Sequence, residues 1–596
     1  MSGLLGDILT NSQALQNRST SLRVIGTNIA NVNNTSYARQ TVQTSTVSGP
    51  GGVSYTFSRI TSTRDSILDR QVTEETSQTG AADALAKLYG DIYSLSSESL
   101  NGSYGASLKT AQTEGSGITG GLTSFFNAWS AYAASPKGTG NANAVYTAAQ
   151  ELASRLNEAD KGLTDLQKTE NDKLDSTLKE ANDLLSSIAQ YNRQIVTMEA
   201  RNPGSSSALK DERQAAMENL AKIVNYDSQT ESNGTVTITL ASGDSANPQT
   251  LVSGSNAGTL SVAKNAQGGY TGLQATYGSA TQSFKASGGS LSVLDPKVTS
   301  AAIESVRSQL DAVAGQLIDS VNSIYYATKD GALDTPVENA NPLLASIADY
   351  NEQIVAMEAE EPGSSTALQA ERQTAMDSLA KIVKFDSQAQ ADGSVTITLA
   401  TGDSANPQTL VSGATAGTLA ARTNADGSFA GLEATFGGAT KSLDLNVLNT
   451  SVTSGFTFFS GTDAGSIDLT LSSYSQLTAA SADDASGGNS VALAMSKLAE
   501  KSFSTASGAL ISGTLTESAA TIATDAATNY ASASEASSAQ SEVLDMVKNS
   551  RDTATGTSTD EEMSNLIREQ HAFQASARIL STLDNLLDIV TTRLGS

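Results

Sequence analysis

The chain has 596 residues, too many for one hydrophobic core, so it must divide into several domains. Its 62 acidic residues outnumber 36 basic ones, leaving a formal charge of -26 and no Lys/Arg cluster, a balance that repels nucleic acid and anionic membranes. With no cysteine and His571 as the single histidine, disulfides, thiol-zinc sites, cysteine nucleophiles and histidine-based catalysis have no material.

No run of about 18 apolar residues marks a membrane span. The N-terminus has no basic segment, compact apolar core and small-residue cleavage site of the secretory kind. It reads instead as a helix. Leu4, Ile8, Leu15, Leu22, Ile25, Ile29 and Val32 fall in alternating four- and three-residue steps, with Asn11 and Arg18 as polar breaks. That is a coiled-coil seam, and it needs a partner helix. Asn28 and Asn31 share one helical face, and the cluster Asn33-Asn34-Thr35-Ser36 predicts a stop with an Asn in a left-handed turn.

From Thr41 to about Arg59 short alternation flanks Gly49-Pro50-Gly51-Gly52, which predicts two strands or extended arms around a turn. Residues 64–100 and 120–133 read as helical, with Leu122, Phe125, Phe126, Trp129 and Tyr132 on one face as core. One long helix is expected over 142–200. Leu152, Leu156, Ala159, Leu163 and Leu166 keep heptad spacing, Leu174, Leu178, Ala181, Leu185 and Ile188 resume it, and a stutter passes through Glu170. A return helix carrying Ile303, Val306, Leu310, Val313, Leu317, Val321 and Ile324 should pack back against it.

Residues 184–281 recur as 343–440, offset by 159 with most positions identical. Each copy predicts a small α+β module: a helical hairpin around Pro203-Gly204 or Pro362-Gly363, a strand at Val236 to Leu240 or Val395 to Leu399, then further short strands. In the shared run at 243–254 and 402–413, Asp244 and Asp403 stand beside Asn247 and Asn406. One carboxylate per loop falls short of the six or more oxygens calcium takes, and Asp with Asn-Pro is ordinary turn chemistry. No metal site, cofactor or catalytic residue is expected.

The partner for the N-terminal seam lies at residues 560–595, where Leu566, Phe573, Leu580, Leu587 and Leu594 recur every seven residues and Leu583 and Val590 fill the alternate positions. Ser558 with Glu561, and Thr559 with Glu562, predict overlapping capping boxes at its start.

The segment Asn28 to Gln40 (NIANVNNTSYARQ) and the run Asp560 to Arg578 (DEEMSNLIREQHAFQASAR) resemble the terminal signatures of the bacterial flagellar axial proteins. Leu122 to Pro136 is similar to a segment found in their hook-associated members at the hook-filament junction. The chain departs from the pattern at Thr35-Ser36, where the family has Pro-Gly, and at Glu569 and His571, where a less polar or Gln-type residue is expected.

The expected fold class is therefore a multidomain α+β protein: N- and C-terminal helices paired in a coiled-coil core, an α-helical rod domain and two duplicated α+β outer modules. The expected segments are 1–60 with 556–596 as axial core and arm, 61–183 with 475–555 as rod, 184–296 as the first module, 297–333 as return helix, 334–455 as the second module, inserted, and 456–474 as connecting strands. The resemblance implies a structural subunit of the flagellum rather than an enzyme. It would be exported unfolded without a cleaved signal peptide and would assemble with copies of itself, hook protein and hook-associated protein 3, with an export chaperone on the way and no membrane insertion. Assembly should run through Leu4, Ile8, Leu15, Leu22, Ile25, Asn28, Ile29, Asn31, Val32, Leu566, Phe573, Leu580, Leu583, Leu587, Val590 and Leu594. A rival reading makes the outer modules a glycan-binding or adhesive surface carried on the flagellum.

Overall fold

The computed structural model describes residues 2–34, 37–48, 54–101, 117–201, 204–241, 249–326, 334–400, 408–423, 429–443, 447–449, 457–480, 484, 487–503 and 510–594. Most of these are helical, and the strands pair antiparallel in several small sheets. The chain forms two compact units: Met1–Gly90, Gln167–Ala302 and Asn529–Ser596 make the first, Asp91–Leu166 and Ile303–Thr528 the second.

In the first unit the N-terminal helix (Ser2–Ala30) lies alongside the C-terminal helix (Thr559–Leu594). The N-terminal helix ends in tight turns, with Asn31 N bonded to Thr27 O and Asn34 N to Asn31 O. No non-glycine residue among those described has a positive φ, so the predicted left-handed Asn is not used. The chain then forms a hairpin of Gln40–Ser48 and Ser54–Ser62, registered from Gln40 opposite Ser62 to Ser48 opposite Ser54. The expected Gly-Pro-Gly-Gly turn lies outside the described residues.

A single helix, Thr139–Arg201, covers the predicted long heptad region. In the first unit its Leu174, Leu178, Ala181, Leu185 and Ile188 enter the core of the first module. Glu170 sits at the stutter and is buried, its carboxylate held by Lys173 at 2.8 Å. A shift of phase places a residue on the inner face regardless of its chemistry, and an acid there requires a cation within reach.

After Arg201 the helix Ser207–Ile223 returns beside a four-stranded sheet (Tyr226–Thr230, Val236–Leu240, Thr250–Ser253, Asn256–Ala257) and a three-stranded one (Thr259–Lys264, Tyr270–Tyr277, Ala280–Phe284). Glu199 ties the hairpin, accepting from Gly204 N at 2.7 Å, Lys210 Nζ at 2.8 Å and the Ser206 hydroxyl. Asn192, fully buried on the long helix, bonds Val236 N and O and Gly254 O, standing in for a neighbouring strand. Inside a helix an amide side chain can offer one donor and one acceptor to a sheet edge that would otherwise be unsatisfied.

The second unit holds the aromatic core. Leu122, Phe125, Phe126, Trp129 and Tyr132 of the helix Gly117–Ala134 are all buried, as their spacing predicts. Phe125 and Tyr325 each pack edge-on against Phe458, with ring centroids 5.8 and 5.3 Å apart, and Trp129 tilts against the same ring at 5.7 Å. Asn322 of the return helix Pro296–Tyr326 accepts from Phe458 N and Phe459 N and donates to Phe459 O. Arg307 on that helix reaches Asp160 at 3.1 Å and Thr164 at 3.0 Å on the long helix. The second module follows with helices Asp334–Glu360 and Thr366–Leu379 and sheets of the same strand order and register as the first, down to the bulge between Ile397 and Thr398 that matches the one between Ile238 and Thr239.

Candidate assembly interface at the paired termini

The foot of the two terminal helices is fastened by one buried amide. Asn28 is 1 % exposed. Its Oδ1 accepts from Gln40 N at 3.0 Å and the Tyr37 hydroxyl at 2.7 Å, and its Nδ2 donates to Gln40 O at 2.9 Å and Glu562 Oε2 at 3.0 Å. Every donor and acceptor of the side chain is therefore used, which fixes the helix end, the arm and the C-terminal helix against each other. Arg39 closes the site from the other side: its Nε lies 2.8 Å and its Nη2 2.7 Å from Glu562 Oε1, and its Nη1 3.3 Å from Glu561. Arg39 N donates to Thr555 O at 3.0 Å, just before the C-terminal helix begins. Burial, with Asp211 and Glu562 nearby, pushes the Tyr37 phenol up, so it stays a proton donor to Asn28.

Sequence spacing assigned Glu562 to a capping box; its carboxylate goes to Asn28 and Arg39 across the interface. Tyr37, Arg39, Gln40 and Glu562 were thus missed as site residues, although all four lie inside the two terminal motifs. Burial was their missing signal, because a motif gives identity and not direction.

Along the seam Ile8, Leu15, Leu22, Ile29, Asn31 and Val32 are half-buried, and Ile25 is buried together with Val24, which the heptad spacing omits. Leu566, Phe573, Leu580, Leu583, Leu587 and Val590 are half-buried on the facing helix. The side chains of Leu4 and Leu594 lie outside the described residues. The two oddities of the sequence answer each other: Arg18, a polar break in one seam, bonds both carboxylate oxygens of Glu569, a departure in the other, at 2.9 Å. His571 is exposed. Ile567, Ile579, Leu586 and Ile589 are about half exposed on the C-terminal helix, and Leu9 more so on its neighbour. One pair of helices leaves these side chains in water.

Behind the arm lies a second buried cluster. Arg64 bonds Asp69 at 2.9 Å and Asp211 at 2.6 Å; Arg551, 3 % exposed at its side chain, reaches Glu218 at 2.5 Å and Asp69 at 3.6 Å. The other Asp211 oxygen, Oδ2, is buried with no hydrogen-bond partner among the described residues. Burial outweighs the arginines and raises the Asp69 and Asp211 carboxyls.

Among the described residues no group of three or more acids or histidines is placed to hold a metal, and no helix is long and apolar enough to cross a membrane. Asp244, Asn247, Asp403 and Asn406 lie outside them.

The family model for the flagellar hook-associated protein FlgK helical domain matches residues 109–331 and 326–485, more than half of the chain. The chain belongs to the FlgK family of flagellar hook-associated proteins. A second model, the flagellar basal body rod FlgEFG protein C-terminal, matches residues 550–593. It covers the helix that carries Glu562 and the C-terminal seam. Membership makes the chain a structural component of the flagellum, related to its other axial components. The flagellar hook junction protein FlgK from Burkholderia pseudomallei is a similar solved structure, 15% identical, covering 81% of this chain and 99% of its own, with a TM-score of 0.44. No curated protein matches.

Proposed function

We propose that the chain is a structural, non-enzymatic subunit that self-assembles at the hook-filament junction, outside the cell, after export without a cleaved signal peptide. Its terminal helices form a coiled-coil inner layer, the rod helices surround it, and the duplicated modules project outward. The observation that carries this is the half-covered seam: Leu566, Phe573, Leu580 and Leu587 are only half-buried, and Ile567, Ile579, Leu586 and Ile589 are about half exposed. Apolar stripes of that kind are stabilised when neighbouring helices bury them, at roughly 25 cal/mol per Å². Copies of the same chain, hook protein on one side and hook-associated protein 3 on the other supply such helices, and an export chaperone would cover the stripe beforehand.

The test is Leu580→Asp and Ile25→Asp. Each puts a charge into an apolar seam, at several kcal/mol by order of magnitude. The expected result is exported or soluble protein with folded modules, and electron micrographs of hooks lacking filaments. Normal filament attachment by either variant refutes the seam assignment.

A further inference from the structure

The duplication provides an internal comparison that singles out one side of the first module. On the helix Ser207–Ile223, Ser207, Asp211, Gln214 and Glu218 are buried; at the same places in the second module Thr366, Ala370, Gln373 and Asp377 are exposed. The residues that hold each module together have not diverged in this way. Arg213 bonds Asn192 Oδ1 and Gly234 O at 2.8 Å, and Arg372 bonds Asn351 Oδ1 and Gly393 O at the same distances. The changes fall on the side that contacts the rest of the first unit. Asp211 has become Ala370, and Tyr226, whose hydroxyl contacts Thr73 as well as Met217 O, has become Phe385. Gly80 of the helix Ser66–Asn101 lies so close to this side that a Cβ there would stand 2.2 Å from Lys222 O.

We propose that Asp211 is a positioning residue that couples the first outer module to the foot of the terminal helices, and that the second module has no such coupling. Asp211 takes Arg64 at 2.6 Å, and Thr63, the residue before Arg64, donates its amide to Arg39 O at 2.9 Å. Arg39 in turn holds Glu562 of the C-terminal helix. Glu218, one turn pair further along the same helix, holds Arg551 four residues before Thr555, whose carbonyl receives the Arg39 amide. A set of polar contacts thus runs from the C-terminal helix through the arm to the module. A module so attached does not hang from its rod; it sets the direction in which the terminal helices leave.

Amide exchange on the full chain, followed by mass spectrometry, tests this independently of where the protein assembles. In Asp211→Ala, residues 37–40, 62–69 and 551–562 should exchange roughly tenfold or more faster, the loss of hydrogen bonds to a charged group being of that size. The strands Val236–Leu240 and Thr250–Ser253 should keep their protection, since Ala370 occupies the same place in a folded module. Asp211→Asn, which keeps a neutral acceptor for Arg64, should lie between, and Ala370→Asp should change nothing. Unchanged exchange at the arm in Asp211→Ala overturns the proposal, as does equal loosening of the module strands, which would make Asp211 a folding residue only. If Asp211→Ala does not fold, the same two readings are taken from Asp211→Asn.

Discussion

Replacing Asn28 by Asp changes one atom and almost no volume, so it separates the electrostatics of the clasp from its packing. The new oxygen would face Glu562 Oε2 at 3.0 Å and Gln40 O at 2.9 Å, where Nδ2 now donates to both. Two unit charges about 3 Å apart at an effective dielectric near 20 repel by about 5 kcal/mol. Arg39, 2.7 Å from Glu562, offsets part of this, and two lost hydrogen bonds add to it, so a net penalty of roughly 2–4 kcal/mol is expected at pH 7. The repulsion raises the new carboxyl in the folded chain above its unfolded value near 3.9. The folded state then binds the extra proton more tightly, so the penalty is present above the folded value and fades as pH falls towards the unfolded one. Protonation also restores a donor. Urea unfolding followed by exchange at residues 28–40 and 559–566, at pH 7 and again near pH 4.5, reads both effects. Equal protection of the variant and the parent at pH 7, or a penalty that grows in acid, would refute the reasoning.

The module turns give a prediction of the opposite sign. Burial alone would raise Glu199, but the Gly204 amide, Lys210 and Ser206 pull it down to about 2, so it contributes stability above about pH 4.5 that is lost as pH falls through about 2. Glu199→Gln should therefore lower the unfolding midpoint at pH 7 and converge with the parent near pH 2, as measured by circular dichroism. Excision of residues 334–455 should leave a chain that folds and is exported, because among the described residues the core of the second module is drawn from residues between Val337 and Leu448. Gel filtration and a motility assay check this, and aggregation or filament shedding would show that the second module packs against something it cannot lose.

The helices were legible because they rest on period. The Leu152 to Ile188 heptads, the aromatic face of Leu122 to Tyr132 and the return helix from Ile303 follow from spacing that side-chain burial enforces. The duplication was legible from identity alone. The ionic cluster was not: Arg64, Asp69, Asp211, Glu218 and Arg551 come from three distant stretches, and among 62 acids no pairing can be chosen by sequence. Glu562 was misread for a related reason, since an acid at the third position of a helix satisfies a cap on paper whichever way it turns. Arg18 and Glu569 each looked like a flaw until the two helices lay side by side.

The position of the return helix between the two copies has a genetic consequence. Recombination between near-identical repeats tends to delete one of them, and wherever the exchange falls within 184–281 and 343–440 it removes 159 residues that always include 282–342. With them goes the whole of Pro296–Tyr326, and so Asn322 and Tyr325, which hold Phe458 and Phe459 at the centre of the aromatic core. That deletion is not the reverse of the insertion: it takes the return helix with it and yields a chain that cannot rebuild its second unit. Selection against that product keeps both copies in the gene, whatever the second one does, and leaves its freed surface open to drift.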